Sequence, residues 1–331
     1  MYATLLARFY ALYFVSMGGR GLFGATPLSR IGALLVVAPL YGGGAILIRE
    51  LARRRGPGWR QIFLLGAAYG LIEEGLAIQS IFNPNLFNAG SLGGRALGVN
   101  WVWSLWTIGY HIFYSIGIPI LLAELLFPAR RREPWLGRVG LIIAGVLYVL
   151  GLLALAAIYR FAVAPDFKPP LLLNLFAALV AILLVVAALT WPARTLENRS
   201  NKPDGKVPSP WIVSLLAFLM ALLWFGLLNL PQPLRAGAWV LIPMLLVIAL
   251  LIGLVSLIQR WSSYEAWNDL HRLALIFGPL IMVMISGSFF VTAGNRLDQL
   301  GVGIFGIITI ILLAFFARRL QQRVRESKLV S

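Results

Sequence analysis

The stretch "LLLNLFAALVAILLVVAALTW", residues 171–191, holds no charged residue and decides the fold class. A helix that crosses the hydrocarbon core of a bilayer needs about 20 mostly apolar residues, which this stretch supplies. The composition of the whole chain agrees, because 60% of its residues are hydrophobic, 12% are charged and the mean hydropathy is +0.86. Soluble domains have about 25% charged residues. The sequence therefore predicts an all-α integral membrane protein.

Similar stretches recur along the chain and predict a polytopic transmembrane helical bundle of about nine spans. They run over Ile31–Ile48, Gln61–Phe82, Trp101–Phe127, Val139–Phe161, Leu171–Trp191, Trp211–Leu230, Ala236–Ile258, Leu273–Ala293 and Leu300–Ala317. The N-terminal stretch "MYATLLARFYALYFVSMGG", residues 1–19, is either a tenth span or a helix lying in the membrane interface. It lacks a clear small-residue cleavage site, so we do not interpret it as a signal peptide.

The loops between these spans are short, which predicts one integral membrane domain over residues 1–331. The longest polar segment, residues 192–210, is rich in Pro, Asn and charged residues. Such a composition is typical of a flexible linker. We expect this linker to be cytoplasmic and to separate a five-span part from a four-span part.

The net charge of +16 is explained by membrane topology. If the loop "RELARRRGPGWR", residues 49–60, is cytoplasmic, alternate loops and the C-terminal tail share its side. That side carries 20 of the 28 Lys and Arg residues, against five on the opposite side. Cytoplasmic loops carry such an excess of basic residues. We therefore expect a prokaryotic-type cytoplasmic (inner) membrane and a cytoplasmic C-terminus. Membrane lipids are the expected partners, and the charge indicates no nucleic-acid partner.

Two adjacent acids, Glu73 and Glu74, lie inside the second predicted span, in "GLIEEGLAIQSIFNPN", residues 70–85. A carboxylate near the bilayer centre costs about 2.5 to 3.5 kcal/mol on insertion scales, and such residues are functional by default. The helical rise places Glu73 about 20 Å from Arg60 and about 14 Å from Phe82. Both acids are therefore expected near the middle of the membrane.

The next span brings a histidine to the same depth. His111 lies about 16 Å from the start of that span at Asn100. Consecutive elements are usually neighbours in space, so His111 is expected to meet the two acids. Ser115 shares the face of His111 and adds a hydroxyl group. Adjacent helical residues point about 100° apart, so the two acids are not expected to face one small ligand equally and should have different roles.

Besides Ser115, supporting roles are assigned to Tyr69, Gln79, Asn268 and His271. Tyr69 lies one turn before Glu73 and could provide its hydroxyl partner. Glu124 is expected to pair with Arg130 or Arg131 at the cytoplasmic interface. The segment of Asn268 and His271 falls on the cytoplasmic face, about 20 Å from the level of Glu73. Those two residues would join the site only through a tilted or re-entrant helix.

The Glu pair after "GLI", followed by a His in the next span, resembles the CAAX-protease and bacteriocin-processing (CPBP/Abi) family of glutamate-dependent intramembrane peptidases. The resemblance implies that Glu73 or Glu74 activates water and that His111 stabilises the oxyanion. The family's Arg would stand at Ile78, next to Gln79. Its second His and its Asn would correspond to His271 and Asn268, although that Asn follows the His in the family and precedes it here.

The sequence thus favours an intramembrane hydrolase or peptidase with Glu73, Glu74 and His111 as catalytic residues, acting on a peptide or lipid-soluble substrate. A proton- or cation-coupled transporter could use the same acids. A scaffold or lipid-binding subunit could use them to fix helix packing. No cofactor is expected: the chain has no cysteine and only two histidines, and three metal ligands without a clear fourth are a weak metal signature.

Overall fold

The structure is a computed structural model that describes residues 38–56, 58–192, 203–287 and 296–330. Ten α-helices and four π-helical turns make up most of these residues. Helix α1 (Gly43–Arg55) follows the π turn Ala38–Gly42, and α2 (Trp59–Leu71) runs into the π turn Ile72–Ala77. Helix α3 (Trp101–Tyr110) continues through the π turn His111–Gly117 into α4 (Ile118–Leu126). Helix α5 (Arg138–Ile158) ends in the π turn Tyr159–Val163, and the remaining helices are α6 (Leu171–Thr190), α7 (Pro210–Gly226), α8 (Leu241–Ser262), α9 (Asp269–Ser286) and α10 (Arg296–Val330).

Between α2 and α3 lies a short antiparallel hairpin of β1 (Arg95–Ala96) and β2 (Val99–Asn100), with Arg95 opposite Asn100. The Asn100 side chain accepts a hydrogen bond from the Trp103 N–H and thereby caps α3. Asparagine at this position satisfies a backbone donor that has no partner inside the helix. The remaining short elements are 3₁₀ turns at Ala89–Ser91, Pro128–Arg130, Leu227–Asn229 and Gly237–Val240.

Six helical segments of the described chain are long and apolar enough to cross a membrane: Trp101–Leu126, Arg138–Val163, Leu171–Thr190, Pro210–Asn229, Gly237–Ser262 and Asp269–Ser286. They match six of the predicted spans. Many of their large apolar side chains are exposed, as Leu172 illustrates at 75%. Exposed apolar surface of this extent fits contact with lipid. The all-α, multi-pass class is confirmed, whereas the count of nine spans is not.

The other predicted spans have different outcomes. Ile31–Ile48 begins outside the described residues, and its described part forms a π turn and the beginning of α1. The second predicted span forms α2 and its π turn, which together carry three charged residues. The last predicted span lies within α10, a helix of 35 residues. The N-terminal stretch and most of the predicted linker (193–202) lie outside the described residues.

The chain divides into two compact units. The described part of unit 1 comprises residues 38–192 and 227–244, and that of unit 2 comprises 203–226, 245–287 and 296–330. The single-domain organisation of residues 1–331 stays a prediction.

Unit 1 is built on close contacts between α5 and the start of α1. A Cβ atom at Gly151 would lie 2.6 Å from the Leu40 backbone nitrogen, and one at Gly43 would lie 3.0 Å from that of Tyr148. Both positions therefore need a residue without a side chain. In membranes such small residues let helix backbones approach closely, which increases van der Waals contact. This packing places Tyr41, between the two contacts, in the core of unit 1.

A buried arginine cluster joins the ends of α1 and α4. The Arg53 guanidinium donates to both Glu124 oxygens, at 2.7 and 2.8 Å, and Arg49 Nε lies 3.2 Å from Glu124. Burial lowers the pKa of Arg49 to about 10, so it remains cationic at neutral pH. The predicted pairing of Glu124 with Arg130 or Arg131 was wrong, because helix packing brings α1 to Glu124. Arg130 pairs instead with Glu133.

In unit 2, α9 packs against α7, where a Cβ atom at Gly278 would lie 2.7 Å from the Phe218 backbone nitrogen. Asn268 and His271 form a capping box at the start of α9. His271 Nδ1 accepts the Asn268 backbone N–H at 3.2 Å, and its Nε2 lies 3.1 Å from the Pro208 carbonyl oxygen. One neutral tautomer, protonated at Nε2, satisfies both contacts. These contacts give the two residues a structural role in unit 2.

Candidate functional site

Three π-helical turns in unit 1 carry buried residues whose polar groups lie close together. Tyr41 belongs to the turn before α1, Glu73 and Glu74 to the turn after α2, and His111 and Ser115 to the turn after α3. A π turn has hydrogen bonds from residue i to i+5, as between the Ile78 N–H and the Glu73 carbonyl at 2.8 Å. Such turns are rare and often occur at functional sites.

The His111 imidazole lies between the two carboxylates. Its Nε2 is 3.0 Å from Glu74 Oε1, and its Nδ1 is 3.5 Å from Glu73 Oε2. His111 and Glu73 are fully buried, and Glu74 is 2% exposed. The expected convergence of the three residues at one depth is therefore present in the structure. Their catalytic roles stay predictions.

The adjacent acids share the imidazole, which straight α-helical geometry did not lead us to expect. In an α-helix, neighbouring side chains point about 100° apart. The i to i+5 bonding of the π turn places more residues in each turn, which reduces that angle. Glu73 and Glu74 can therefore reach opposite nitrogens of one ring.

Hydroxyl groups surround this trio. The Tyr41 hydroxyl donates a short hydrogen bond to Glu73 Oε1, and the Ser80 hydroxyl donates one to Glu74 Oε2. Trp103 Nε1–H donates in turn to Ser80 Oγ at 2.9 Å. Glu74 thus has a hydrogen bond with His111 on one oxygen and with the Ser80 hydroxyl on the other, and Glu73 accepts from the Tyr41 hydroxyl on Oε1 with its Oε2 3.5 Å from His111 Nδ1. These contacts orient both carboxylates.

The remaining contacts of His111 are with Ser115 and with aromatic rings. Ser115 Oγ lies 3.2 Å from His111 Nδ1, as the shared helix face predicted. The Tyr41 ring is nearly parallel to the imidazole, with 8° between the planes and 6.2 Å between the centroids. Tyr69, predicted as the hydroxyl partner of Glu73, packs its ring 5.5 Å from that of His111. Aromatic groups thus enclose the imidazole.

Gln79, another predicted supporting residue, lies just beyond the π turn of the acids. Its backbone has φ of +61°, in the left-handed region that non-glycine residues rarely adopt. Its side-chain amide donates to Asn174 Oδ1 at 3.4 Å. Residues held in such conformations are concentrated at functional sites.

A cavity of about 200 Å³ opens beside the same π turn. Its lining includes Leu76, Ala77, Gln79, Tyr159, Arg160 and Phe167. Leu76 and Ala77 belong to the turn that holds both acids, and Tyr159 and Arg160 belong to the π turn after α5. The cavity therefore combines apolar walls with one cation and several polar groups, as small-molecule sites do.

Within the described part of the chain, Glu73, Glu74 and His111 form a group that could hold a metal ion. Each offers one ligand atom, and these atoms lie within 4.8 Å of one another. Asn268 and His271, by contrast, belong to the helix cap of unit 2.

Sequence analysis missed three residues of this network: Tyr41, Ser80 and Trp103. Ser80 follows Gln79 in the quoted motif, six residues after Glu74. Its hydroxyl group, the next polar side chain beyond Gln79, was the signal that could have identified it. Tyr41 lies in the first predicted span, and its one polar atom gave no signal that it faces Glu73.

The model of an uncharacterized membrane protein family matches residues 19–323. The chain belongs to this family. A similar protein, an uncharacterized protein of Archaeoglobus fulgidus, is 26% identical over 197 residues, which are 57% of this chain and 56% of that relative. The chain thus spans a little over half of that relative's length. No solved structure matches the chain.

The family match corrects the resemblance to the CPBP/Abi peptidases. The family assigned over residues 19–323 is a different one, so that resemblance was wrong. It rested on a Glu pair and one His. Buried Glu and His residues in a membrane helix are selected by any function that needs polar chemistry in lipid, so they do not identify one family.

Proposed function

We propose that unit 1 is an intramembrane hydrolase in which Glu73 or Glu74 takes a proton from water. The observation that carries this proposal is the contact of one imidazole with two buried carboxylates, at 3.0 and 3.5 Å. A general base must lie within hydrogen-bonding reach of the group with which it exchanges a proton. The contact between His111 Nε2 and Glu74 Oε1, at 3.0 Å, meets this condition, whereas the contact of Nδ1 with Glu73 is longer, at 3.5 Å.

In the proposed reaction, the water oxygen attacks an acyl carbon of a lipid-soluble or peptide substrate. The water proton passes to one carboxylate, and the hydroxide oxygen stays on the acyl group. His111 takes this proton from the carboxyl group and delivers it to the leaving group as the acyl bond breaks, which returns the carboxylate and the imidazole to their starting states. Proton transfer by positioned side chains of this kind contributes about 10²- to 10⁴-fold to a rate.

The cavity beside the acid-bearing π turn supports this proposal, because a substrate needs a route to Glu73 and Glu74. Leu76 and Ala77 line the cavity and lie within one turn of Glu74. Arg160, which also lines the cavity, is a cation that could hold an anionic substrate group. An amphiphilic substrate would place its apolar chain in the bilayer and its polar end in the cavity, and its reacting group would extend past Leu76 and Ala77 to the buried acids.

The test uses purified protein in vesicles made from a total membrane extract and suspended in H₂¹⁸O. Hydrolysis adds one ¹⁸O atom to each acyl product, which mass spectrometry of lipids and peptides detects. Glu74→Gln and Glu73→Gln should each reduce this incorporation by about 10²-fold or more. Glu133→Gln is the matched control, because Glu133 is exposed and its side chain pairs at the surface with Arg130. Equal incorporation by wild type and both Gln variants would refute the proposal.

A proton-coupled carrier is the second candidate, favoured by the continuous series of contacts from Tyr41 through Glu73, His111 and Glu74 to Ser80. Buried acid and histidine chains serve as proton relays in transporters. Vesicles that contain a pH-sensitive dye distinguish the candidates. Proton flux that is lost in Glu74→Gln, without ¹⁸O incorporation by wild type, would favour the carrier.

The location and partners belong to the same proposal. The excess of 20 basic residues against five supports a cytoplasmic (inner) membrane with the C-terminus in the cytoplasm. Membrane lipids are then the immediate partners of the exposed apolar helices. Anionic headgroups would bind the basic side.

A further inference from the structure

We infer that Glu73, Glu74 and His111 bind one divalent transition-metal ion, for which Zn²⁺ is the test ion. This inference deepens the proposed hydrolase and rests on it for the ion's chemical role, but not for its binding. The three candidate ligand atoms come from two neighbouring π turns and lie within 4.8 Å of one another. Two carboxylates and an imidazole are ligands that zinc takes in proteins.

The spacing at His111 fits a shared ion. Nε2 and Glu74 Oε1 lie 3.0 Å apart, and two atoms that are each about 2.0 to 2.2 Å from one zinc ion can have this separation. Glu73, whose Oε2 lies 3.5 Å from Nδ1, must turn toward Nε2 to become the third ligand. Ser115 Oγ lies 3.2 Å from Nδ1 and can accept its proton. In that tautomer the Nε2 lone pair points toward a lone pair of Glu74 Oε1. The two lone pairs repel each other unless a proton or a cation lies between them.

The charge of the trio also favours a cation. The trio holds two groups that are negative when ionised, against one imidazole that can carry at most one positive charge. All three side chains are buried, at 0%, 2% and 0% exposure for Glu73, Glu74 and His111. Buried charges in proteins are paired or coordinate metals. One divalent ion would neutralise both carboxylates when His111 is neutral.

The surrounding hydrogen bonds match those of metal sites. The remaining polar atoms of ligating carboxylates and histidines usually form hydrogen bonds with fixed partners, which orient the ligands. Here Tyr41 holds Glu73, Ser80 holds Glu74 and Ser115 contacts His111. Three protein ligands are also the number found in catalytic zinc sites, where the fourth position holds water. The missing fourth ligand, which weakens a structural zinc site, therefore suits a catalytic one.

The experiment is equilibrium dialysis of the full chain, purified in detergent after chelator treatment, against micromolar ZnCl₂. Metal content is measured by plasma mass spectrometry. Wild type and Glu133→Gln should each bind one zinc per chain. His111→Ala and Glu74→Gln should lose it, and Tyr41→Phe should bind about 10- to 100-fold more weakly, because it changes only the partner of a ligand. X-ray absorption of the wild type should give only nitrogen and oxygen ligands.

Two results would overturn the inference: a wild type that binds no zinc, or zinc bound equally by wild type and His111→Ala. The second result would identify adventitious surface binding. The X-ray absorption spectrum of the wild type tests the ligands without any variant, so misfolding of His111→Ala does not prevent a decision. The hydrolase proposal fails separately: zinc binding without ¹⁸O incorporation would refute only the hydrolase, and ¹⁸O incorporation by metal-free protein would refute only the ion's role in the reaction.

Discussion

Gly70 packs directly against His111. A Cβ atom at Gly70 would lie 3.0 Å from the His111 Cβ and 3.2 Å from the Ile108 Cα. Gly70 precedes Glu74 by one turn of α2, so the same close approach of α2 to α3 sets the distance between Glu74 and His111. The absence of a side chain at this position is therefore a condition for the polar contact between Glu74 and His111.

Replacing Gly70 by Ala should destabilise unit 1. The added methyl group meets the backbone of α3, which cannot move as a flexible side chain can, and overpacking of this kind costs about 1 to 3 kcal/mol. The free energy of unfolding in mixed micelles measures the effect. Gly145→Ala is the control, because a Cβ at Gly145 has no neighbour within 4 Å. Ala at that helical position should stabilise by up to about 1 kcal/mol. Equal stability of Gly70→Ala and wild type would contradict the close approach.

The Glu50 carboxylate should be one of the most sensitive positions for folding. It is 1% exposed and accepts hydrogen bonds from the Trp135 and Leu136 N–H groups, at 2.8 to 3.0 Å. It also pairs with Arg49 and Arg54, each at 3.1 Å. Loss of one partner in a buried ion pair costs about 3 to 5 kcal/mol. We expect Glu50→Gln to lower the free energy of unfolding by about 3 kcal/mol.

Glu133→Gln provides the comparison for Glu50. Glu133 pairs with Arg130 at 2.8 Å, but its side chain is 55% exposed. Exposed ion pairs contribute about 0 to 1 kcal/mol. A loss of more than about 1 kcal/mol in Glu133→Gln, or a loss of less than about 1 kcal/mol in Glu50→Gln, would show that burial does not control the strength of these pairs.

The sequence predicted the parts of the candidate site that depend only on the position of each residue along its span. The rise of a helix is nearly constant, so distance along two consecutive spans placed Glu73 and His111 at the same level. That calculation needs only the ends of each span. The contact is accordingly found, at 3.0 Å for Glu74 and 3.5 Å for Glu73.

The partners that sequence analysis missed depend on tertiary packing. Tyr41 is 32 residues from Glu73, and Arg53 is 71 residues from Glu124. Depth alone does not reveal which helices that are distant in sequence become neighbours. The π turns were missed for another reason: a shift from i+4 to i+5 hydrogen bonding has no signature in composition or hydropathy. The difference changed the expected directions of Glu73 and Glu74.

The proposed topology can be tested because the chain has no cysteine. Leu97, in the hairpin loop, is 87% exposed, and Arg132, in the basic loop after α4, is also exposed. A membrane-impermeant maleimide should label Leu97→Cys in intact spheroplasts. It should label Arg132→Cys only after permeabilisation, because the basic side is expected in the cytoplasm. The reverse pattern, or labelling of both in intact spheroplasts, would contradict this orientation.

Joint replacement of Glu73 and Glu74 by Gln separates chemistry from packing. Each carboxylate near the bilayer centre costs about 2.5 to 3.5 kcal/mol on insertion scales, and Gln keeps nearly the same shape and can still accept hydrogen bonds. If the acids serve chemistry, their charge destabilises the fold. The free energy of unfolding of the variant should then equal or exceed that of wild type. Stabilisation on removal of functional groups is the usual trade-off at active sites.

The scaffold hypothesis predicts the opposite sign for the same variant. If the acids serve helix packing, their charge strengthens the hydrogen bonds from Tyr41 and Ser80, since bonds to charged groups contribute about 1.5 to 3 kcal/mol against about 1 for neutral ones. The variant should then unfold more easily than wild type. Both proteins must be measured in chelator, because a bound ion would stabilise the wild type by mass action and imitate a packing effect. The sign of the difference in unfolding free energy therefore distinguishes the two roles before any substrate is known.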